Sequence, residues 1–133
     1  MTFSLDVVRD QSSIDWWAAL GECRLLIQRD PVSGRFQWYP RAHCKGDLGR
    51  APEWVQASGR GSVFSYSVLH RGHVRLDQPY ICALIELEEG VLMLSRLTNT
   101  DPEQVRIGMP VQVCYVNVSA DTTLPLFEPR SPA

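Results

Sequence analysis

The sequence predicts a mainly β protein: a five-stranded barrel preceded by an N-terminal helix and a small ribbon-like hairpin. The chain has 133 residues, 44% hydrophobic and 21% charged, which is the size and composition of one ordinary globular domain with a small appendage. Short runs in which apolar and polar residues alternate fill its second half, as in half-buried strands. One short helical pattern stands near the N-terminus, between capping residues and a glycine.

The helix is predicted over residues 12–21, which begin with two serines and end with a glycine. Ile14, Trp17, Ala18 and Leu20 can share its apolar face. Two adjacent tryptophans, Trp16 and Trp17, cannot both lie on one narrow stripe of a helix. We therefore expect one of them to contact this chain and the other to contact a partner subunit.

A hairpin follows the helix. Residues 24–28 and 35–39 read as strands, and the turn-forming sequence of residues 30–34 joins them. A hairpin of this size has no core of its own. Residues 40–53 are irregular, so the predicted N-terminal domain spans residues 1–53.

The predicted C-terminal domain, residues 54–133, holds five strands. They span residues 62–70, 80–87, 91–97, 111–118 and 124–127, and residues 128–133 are expected to fray. In the first strand, Phe64 and Tyr66 fall on one face. In the second, the alternating residues Ile81, Ala83, Ile85 and Leu87 fall on one face. Five strands fit a small barrel such as the OB-fold, whereas a β-sandwich usually needs about seven.

The net charge of −2 argues against general nucleic-acid binding, but the charge is unevenly distributed. Residues 41–75 contain five arginines and one lysine against two acidic residues. This basic segment is either a solvated surface, or a site for an anionic ligand or an acidic partner. The residues that we assign to an anionic ligand are Arg60, His70, Arg71, His73 and Arg75.

The sequence predicts no catalytic residues. His70 and His73 have no acidic or cysteine neighbour at a metal-ligand spacing. The four cysteines form no CxxC pair, so we expect no disulfide and a reducing, cytoplasmic environment. The longest apolar runs are too short to cross a membrane, and the N-terminus does not resemble a secretory signal.

Four positions around the hairpin have the spacing of a zinc ribbon: two pairs, each with two residues between its members, separated by ten residues. They are Asp30, Ser33, Cys44 and Asp47. Only one is a cysteine, and one thiolate with two carboxylates and a hydroxyl is a poor tetrahedral zinc site. We therefore predict a degenerate ribbon without a metal.

The order of these features resembles the DUF35 family, in which a rubredoxin-like zinc ribbon is joined to an acyl-CoA-associated OB-fold. The matching segments cover nearly the whole chain. They are Tyr39-Pro40-Arg41, Ser58-Gly59-Arg60-Gly61, Gln78-Pro79-Tyr80, Leu87-Glu88-Glu89-Gly90, Ile107-Gly108-Met109-Pro110-Val111 and Leu124-Pro125-Leu126-Phe127.

The resemblance implies an accessory subunit that has no catalysis of its own. Such proteins assemble with thiolase-fold enzymes of acyl-CoA metabolism, where the OB-fold helps to shape an acyl-CoA site. The expected partners are therefore a thiolase-like subunit, in a hetero-oligomer, and acyl-CoA as a possible ligand, with no cofactor. Two alternatives remain open: an OB-fold that binds single-stranded nucleic acid, and a stand-alone CoA-thioester enzyme.

Overall fold

The computed structural model describes residues 9–70 and 80–131, and it confirms the mainly β fold with one N-terminal helix and a five-stranded closed barrel. The elements are α1 (Ile14–Gly21), β1 (Leu26–Arg29), β2 (Phe36–Gln37), β3 (Glu53–Gln56), β4 (Arg60–Leu69), β5 (Tyr80–Leu87), β6 (Leu92–Leu97), a 3₁₀ turn (Pro102–Gln104), β7 (Pro110–Ser119) and β8 (Thr122–Pro129). No helix within the described ranges is long and apolar enough to cross a membrane.

The chain contacts form two units. The first combines Met1–Ser58 with Tyr115–Pro125, and the second combines Gly59–Cys114 with Leu126–Ala133. The first unit thus includes the end of β7 and the beginning of β8. The domain boundary between residues 53 and 54 stays a prediction.

The first unit contains the predicted hairpin, in which β1 is antiparallel to β2, and it adds a third strand that the sequence analysis assigned to the C-terminal domain. Its strand order is β2-β1-β3, and β3 is antiparallel to β1 over four residue pairs, from Leu26 opposite Gln56 to Arg29 opposite Glu53. The third strand has a physical reason: a two-stranded hairpin is marginal in water, and added pairing lets the sheet bury an apolar side chain. Ile27, in the central strand, is 1% exposed.

Helix α1 buries a stripe that shares only Leu20 with the apolar face that the sequence predicted. Trp16, Ala19 and Leu20 are its buried residues, whereas Ile14 is 52% exposed. The spacing of three and four residues is the normal one for a buried stripe. The tertiary contact of Trp16 with the ring of Trp38, at a centroid distance of 5.4 Å, selects this stripe over the one through Ile14.

The barrel closes in the order β4-β5-β6-β8-β7. Strand β5 is antiparallel to both of its neighbours, and β6 meets β8 in a parallel pair at Leu97 and Phe127. The shared face predicted for β5 is confirmed and points into the core, because Ile81, Ala83, Ile85 and Leu87 are all at most 3% exposed.

A β-bulge in β4 interrupts the alternation that the sequence predicts for Phe64 and Tyr66. Val63 pairs with Ile85 and is 1% exposed, the register shifts between Val63 and Ser65, and Phe64 is 50% exposed. A bulge inserts one extra residue, so the alternation of faces cannot be read through it. Gly61 lies before the bulge, and a Cβ there would collide with the backbone carbonyl of Glu86.

The C-terminal segment is more ordered than expected. Strand β8 continues to Pro129, and the Arg130 N–H donates a hydrogen bond of 3.0 Å to the Pro110 carbonyl. The prediction that the chain frays from residue 128 is therefore wrong up to Arg130. This pairing is a long-range contact, which a local sequence pattern does not reveal.

Candidate functional site

The outer surface of the barrel carries a band of apolar side chains across β4, β5 and β6. Leu84 lies between Leu94 of β6 and the bulge that contains Phe64. Leu94 is 63% exposed and Leu92, on the same side of β6, is 40% exposed. We call Phe64, Leu84, Leu92 and Leu94 the outer apolar face. Contiguous exposed apolar residues mark interaction surfaces, whereas single scattered ones are normal on a protein surface.

Polar residues lie beside this face. Glu86 pairs with Leu92 in the sheet, and on the far side Arg96 pairs with Cys82. The Arg96 guanidinium lies 4.6 Å from the centre of the Tyr80 ring, a cation–π contact. An apolar centre with a polar edge is the usual anatomy of a protein–protein interface.

The predicted ligand residues are only partly within the described chain. Arg60, the first residue of β4, forms a two-point ion pair with Glu88, with Nε–Oε1 at 3.0 Å and Nη2–Oε2 at 3.1 Å. His70 is exposed immediately after β4. Arg71, His73 and Arg75 lie outside the described residues, so the assignment of these five residues to one site stays a prediction. Arg60 would have to share or release Glu88 in order to bind a phosphate.

An open cleft of about 640 Å³ lies at the turn before β7 and the end of β8. Two arginines line it, Arg106 and Arg130, together with Asp101 and Met109. In the described part of the chain neither arginine forms an ion pair, and the buried Nε of Arg130 has no hydrogen-bond partner.

Sequence reasoning missed this cleft. Arg106 lies outside the basic segment and Arg130 was assigned to a frayed tail. The usable signal was Pro110 as the first residue of a strand, since the turn preceding that strand must then lie at a barrel end, where loops form clefts.

The two predicted interface tryptophans have different environments. Trp16 is 7% exposed and its ring lies 4.8 Å from that of Trp17, edge to face. Trp17 is half-buried and stacks under the Arg9 guanidinium at 5.5 Å. Tyr39 continues the aromatic row from Trp38 and is 58% exposed. The interface role of Trp16 and Trp17 stays a prediction, with Trp17 as the accessible member.

The ribbon positions surround an arginine. Arg50 donates to both carboxylate oxygens of Asp30 at 2.8 Å and to Asp47 at 3.2 Å, while Cys44 is completely buried. The described residues contain no group of three or more histidine, cysteine or acidic side chains placed to hold a metal ion. The zinc that the ribbon resemblance implies does not fit this donor set, because the carboxylates already bind a cation.

No activated nucleophile stands out among the described residues. Burial raises the pKa of the Cys114 thiol, and the negative charge of Glu128 raises it further. Burial also raises the pKa of Tyr115. Both shifts favour the neutral, less nucleophilic form of the group, the opposite of what a catalytic thiolate or phenolate needs.

Comparison with known proteins gives a consistent set of relatives. Residues 54–116 match the family model of the ChsH2 C-terminal OB-fold domain. A DUF35 domain-containing scaffold protein of Methanocaldococcus jannaschii is 37% identical over 119 residues, which cover 86% of this chain and 84% of the relative.

Two further similarities involve enzyme subunits. A probable enoyl-CoA hydratase alpha subunit of Thermomonospora curvata is 35% identical over 120 residues, or 88% of this chain, yet the chain spans only 37% of the length of that relative. The solved structure of the Ltp2-ChsH2(DUF35) aldolase superposes with a TM-score of 0.85 at 31% identity. That match covers 93% of this chain and 98% of the solved one.

Proposed function

This chain belongs to the DUF35 family, and from that premise we propose that it is a non-catalytic accessory subunit of a thiolase-fold enzyme that acts on acyl-CoA. The observation that carries the proposal is the outer apolar face. On this face Leu94 is 63% exposed and Phe64 is 50% exposed, on adjacent parts of one sheet. A barrel with such a surface gains stability when a partner covers it.

The relatives support the same role. One is named a scaffold protein, one is named an alpha subunit of a hydratase, and the solved relative is one component of an aldolase. All three names describe proteins that act with others.

We propose further that the second unit contributes cationic groups to the acyl-CoA site. Coenzyme A carries a diphosphate and a 3′-phosphate, which arginine binds through charge-assisted, two-point hydrogen bonds. Arg106 and Arg130 face an open cleft and form no ion pair in the described chain, so their guanidinium groups can accept a phosphate without first releasing a carboxylate. Arg60, His70, Arg71, His73 and Arg75 remain the predicted additional contacts.

The partner proposal is tested by co-expression with a thiolase-like enzyme and size-exclusion chromatography with light scattering. Leu94→Asp places a charge at the centre of the outer apolar face and should abolish the hetero-oligomer while the barrel stays folded. Leu48→Asp is the matched control, because Leu48 is also exposed (74%) but lies in a loop of the first unit. Equal complex formation by both variants contradicts an interface at this face.

The proposal that the chain is not catalytic on its own has a separate test. The isolated chain should not turn over acyl-CoA thioesters, and activity should appear only when the partner is added. Measurable turnover by the isolated chain, abolished by His70→Ala, would instead support the stand-alone enzyme.

A further inference from the structure

We propose that the guanidinium of Arg50 takes the place of a ribbon metal, so that one cation supplied by the chain itself joins the two turns that a zinc ion would join. The inference rests on side-chain geometry and is independent of the proposed function. Two of the four ribbon positions, Asp30 and Asp47, accept hydrogen bonds from this one group, and a third, Cys44, donates its backbone N–H to the Arg50 carbonyl.

The first turn presents Asp30 to the cation. The carboxylate of Asp30 accepts backbone N–H bonds from Val32 at 2.9 Å and Ser33 at 3.3 Å, and two guanidinium bonds at 2.8 Å. Its side chain is only 8% exposed. The aspartate therefore does what an anionic ligand at the first position of a ribbon turn must do: it orders its own turn and binds the central cation.

The second turn closes around the same cation. Cys44 and Asp47 form an isolated bridge, the Cys44 N–H donates to the Arg50 carbonyl at 2.8 Å, and the Arg50 N–H donates to the Asp47 carbonyl at 3.1 Å. Arg50 is therefore anchored by its backbone in the second turn, while its side chain reaches Asp30 in the first. Twenty residues of sequence separate the two ends of this link.

The fourth position differs, and the shape of the cation explains why. Ser33 directs its hydroxyl oxygen to the Arg35 N–H at 3.3 Å. Zinc takes four ligands at tetrahedral directions, whereas a guanidinium presents its N–H donors in one plane. A planar cation has no need of a fourth ligand, so this position is free to become a serine that orders the backbone of its own turn.

Because the cation is the side chain of Arg50, the connection between the two turns is part of the covalent chain. Metal sites depend on ligand deprotonation and on metal supply, and chelators unfold small domains that rely on them. A guanidinium keeps its charge at any physiological pH and cannot be removed. We therefore expect the first unit to be insensitive to chelators.

The loss-of-function test compares Arg50→Gln with Arg35→Gln by thermal unfolding in the presence and absence of a chelator. Arg35 is an exposed arginine of the same hairpin without an ion pair among the described residues. Arg50→Gln should lower Tm by about 5–10 °C, because it leaves the carboxylate of Asp30 without its cation, while Arg35→Gln should change Tm by roughly 1 °C or less. Wild-type Tm should not respond to the chelator.

Equal Tm values for the two variants, or stoichiometric zinc in the purified wild-type protein, would overturn the inference. If Arg50→Gln does not fold, Arg50→Lys replaces it in the comparison. Lysine keeps the charge but lacks the planar fork, so its Tm should lie below that of the wild type. A Tm equal to the wild type would count against the role assigned to the guanidinium.

The gain-of-function test restores the metal. The variant Asp30→Cys/Ser33→Cys/Asp47→Cys/Arg50→Ser should bind about one zinc per chain, give the absorption of tetrahedral thiolate ligation with Co²⁺, and become chelator-sensitive. The matched triple variant that keeps Arg50 should bind far less zinc, since the guanidinium occupies the centre. Equal zinc content in both, or none in the quadruple variant, would show that Arg50 is not at a metal position.

Discussion

Arg50 and Asp30 form a two-point ion pair: Nε lies 2.8 Å from Oδ1 and Nη2 lies 2.8 Å from Oδ2. The carboxylate belongs to the turn after β1, and the arginine belongs to the loop before β3. The guanidinium holds the pKa of Asp30 well below its usual range, and the pKa of Arg50 is raised in return. A carboxylate in this state connects the stability of the first unit to pH.

The first prediction is a pH dependence. Since the folded-state pKa of Asp30 is depressed, its contribution to stability is fully present above the unfolded pKa of about 3.9 and is lost as the pH falls towards the folded value. The Tm advantage of wild type over Asp30→Asn should therefore be constant above pH ~5 and shrink below pH ~4. Thermal unfolding of both proteins from pH 8 to pH 3 measures the difference.

Glu103→Gln is the control, because Glu103 is exposed and forms no ion pair among the described residues. Its Tm difference from wild type should not change in the same way at low pH. A wild-type advantage over Asp30→Asn that persists unchanged at pH 3 would contradict the prediction.

The second prediction concerns two buried glutamines that lie opposite each other in β1 and β2. Gln37 donates to the Gln28 side chain at 2.9 Å and to the His43 carbonyl, and it accepts the Lys45 N–H at 3.0 Å. Gln37→Met should lower the free energy of unfolding by roughly 2–3 kcal/mol, since it leaves buried polar groups without partners. Denaturant unfolding gives the value.

The reference for this change is Gln56→Met, on the exposed edge of the same sheet. It should cost less than about 0.5 kcal/mol, as surface substitutions normally do. If both substitutions cost the same, the side-chain network does not hold the loop that follows β2.

The third prediction separates the two tryptophans. Trp16→Ala removes a ring that is 7% exposed and should destabilise the protein by about 3–5 kcal/mol. Trp17→Ala removes a half-buried ring and should cost about 1 kcal/mol of stability, while weakening the complex with the enzyme partner by about 2 kcal/mol. Thermal unfolding and a binding titration measure the two effects.

Ile14→Ala serves as the comparison for binding, because Ile14 is exposed on the same helix. Unchanged affinity of Trp17→Ala for the partner would end the assignment of Trp17 to the interface. A large Tm loss in Trp17→Ala would show that the ring belongs to the core of this chain.

The fourth prediction concerns acyl-CoA. Arg106→Gln and Arg130→Gln should each weaken binding of acyl-CoA to the complex by about 1–3 kcal/mol, or roughly 5- to 150-fold. The effect should decrease at high salt, because exposed charges are screened over about 8–10 Å. Calorimetric titration at low and high salt tests both statements.

Arg35→Gln provides the control, since Arg35 is exposed in the first unit. The same titration with Arg60→Gln, Arg71→Gln and Arg75→Gln decides between the cleft and the basic segment. Full affinity in both cleft variants would exclude the cleft as the site that binds the phosphates of acyl-CoA. Full affinity in the other three variants would leave the basic segment as a solvated or protein-facing surface.

The alternation of β5 could be predicted because local periodicity and burial agree there. Ile81, Ala83 and Ile85 occupy one face in sequence, and all three are buried in the structure. The orientation of side chains in β4 could not be predicted. The bulge at Phe64 depends on pairing with β5 and leaves no signal in the sequence of β4 itself.

The sequence by itself determined the mainly β fold class, the N-terminal helix and the strands of the barrel, since these follow from residue type and spacing along the chain. Tertiary structure alone decided which stripe of α1 is buried, that β3 joins the ribbon sheet, and that Arg50 and Asp30 meet across twenty residues. Each of these outcomes is a contact between residues distant in sequence. Such contacts depend on which surfaces the folded elements bring together, a competition that no local pattern records.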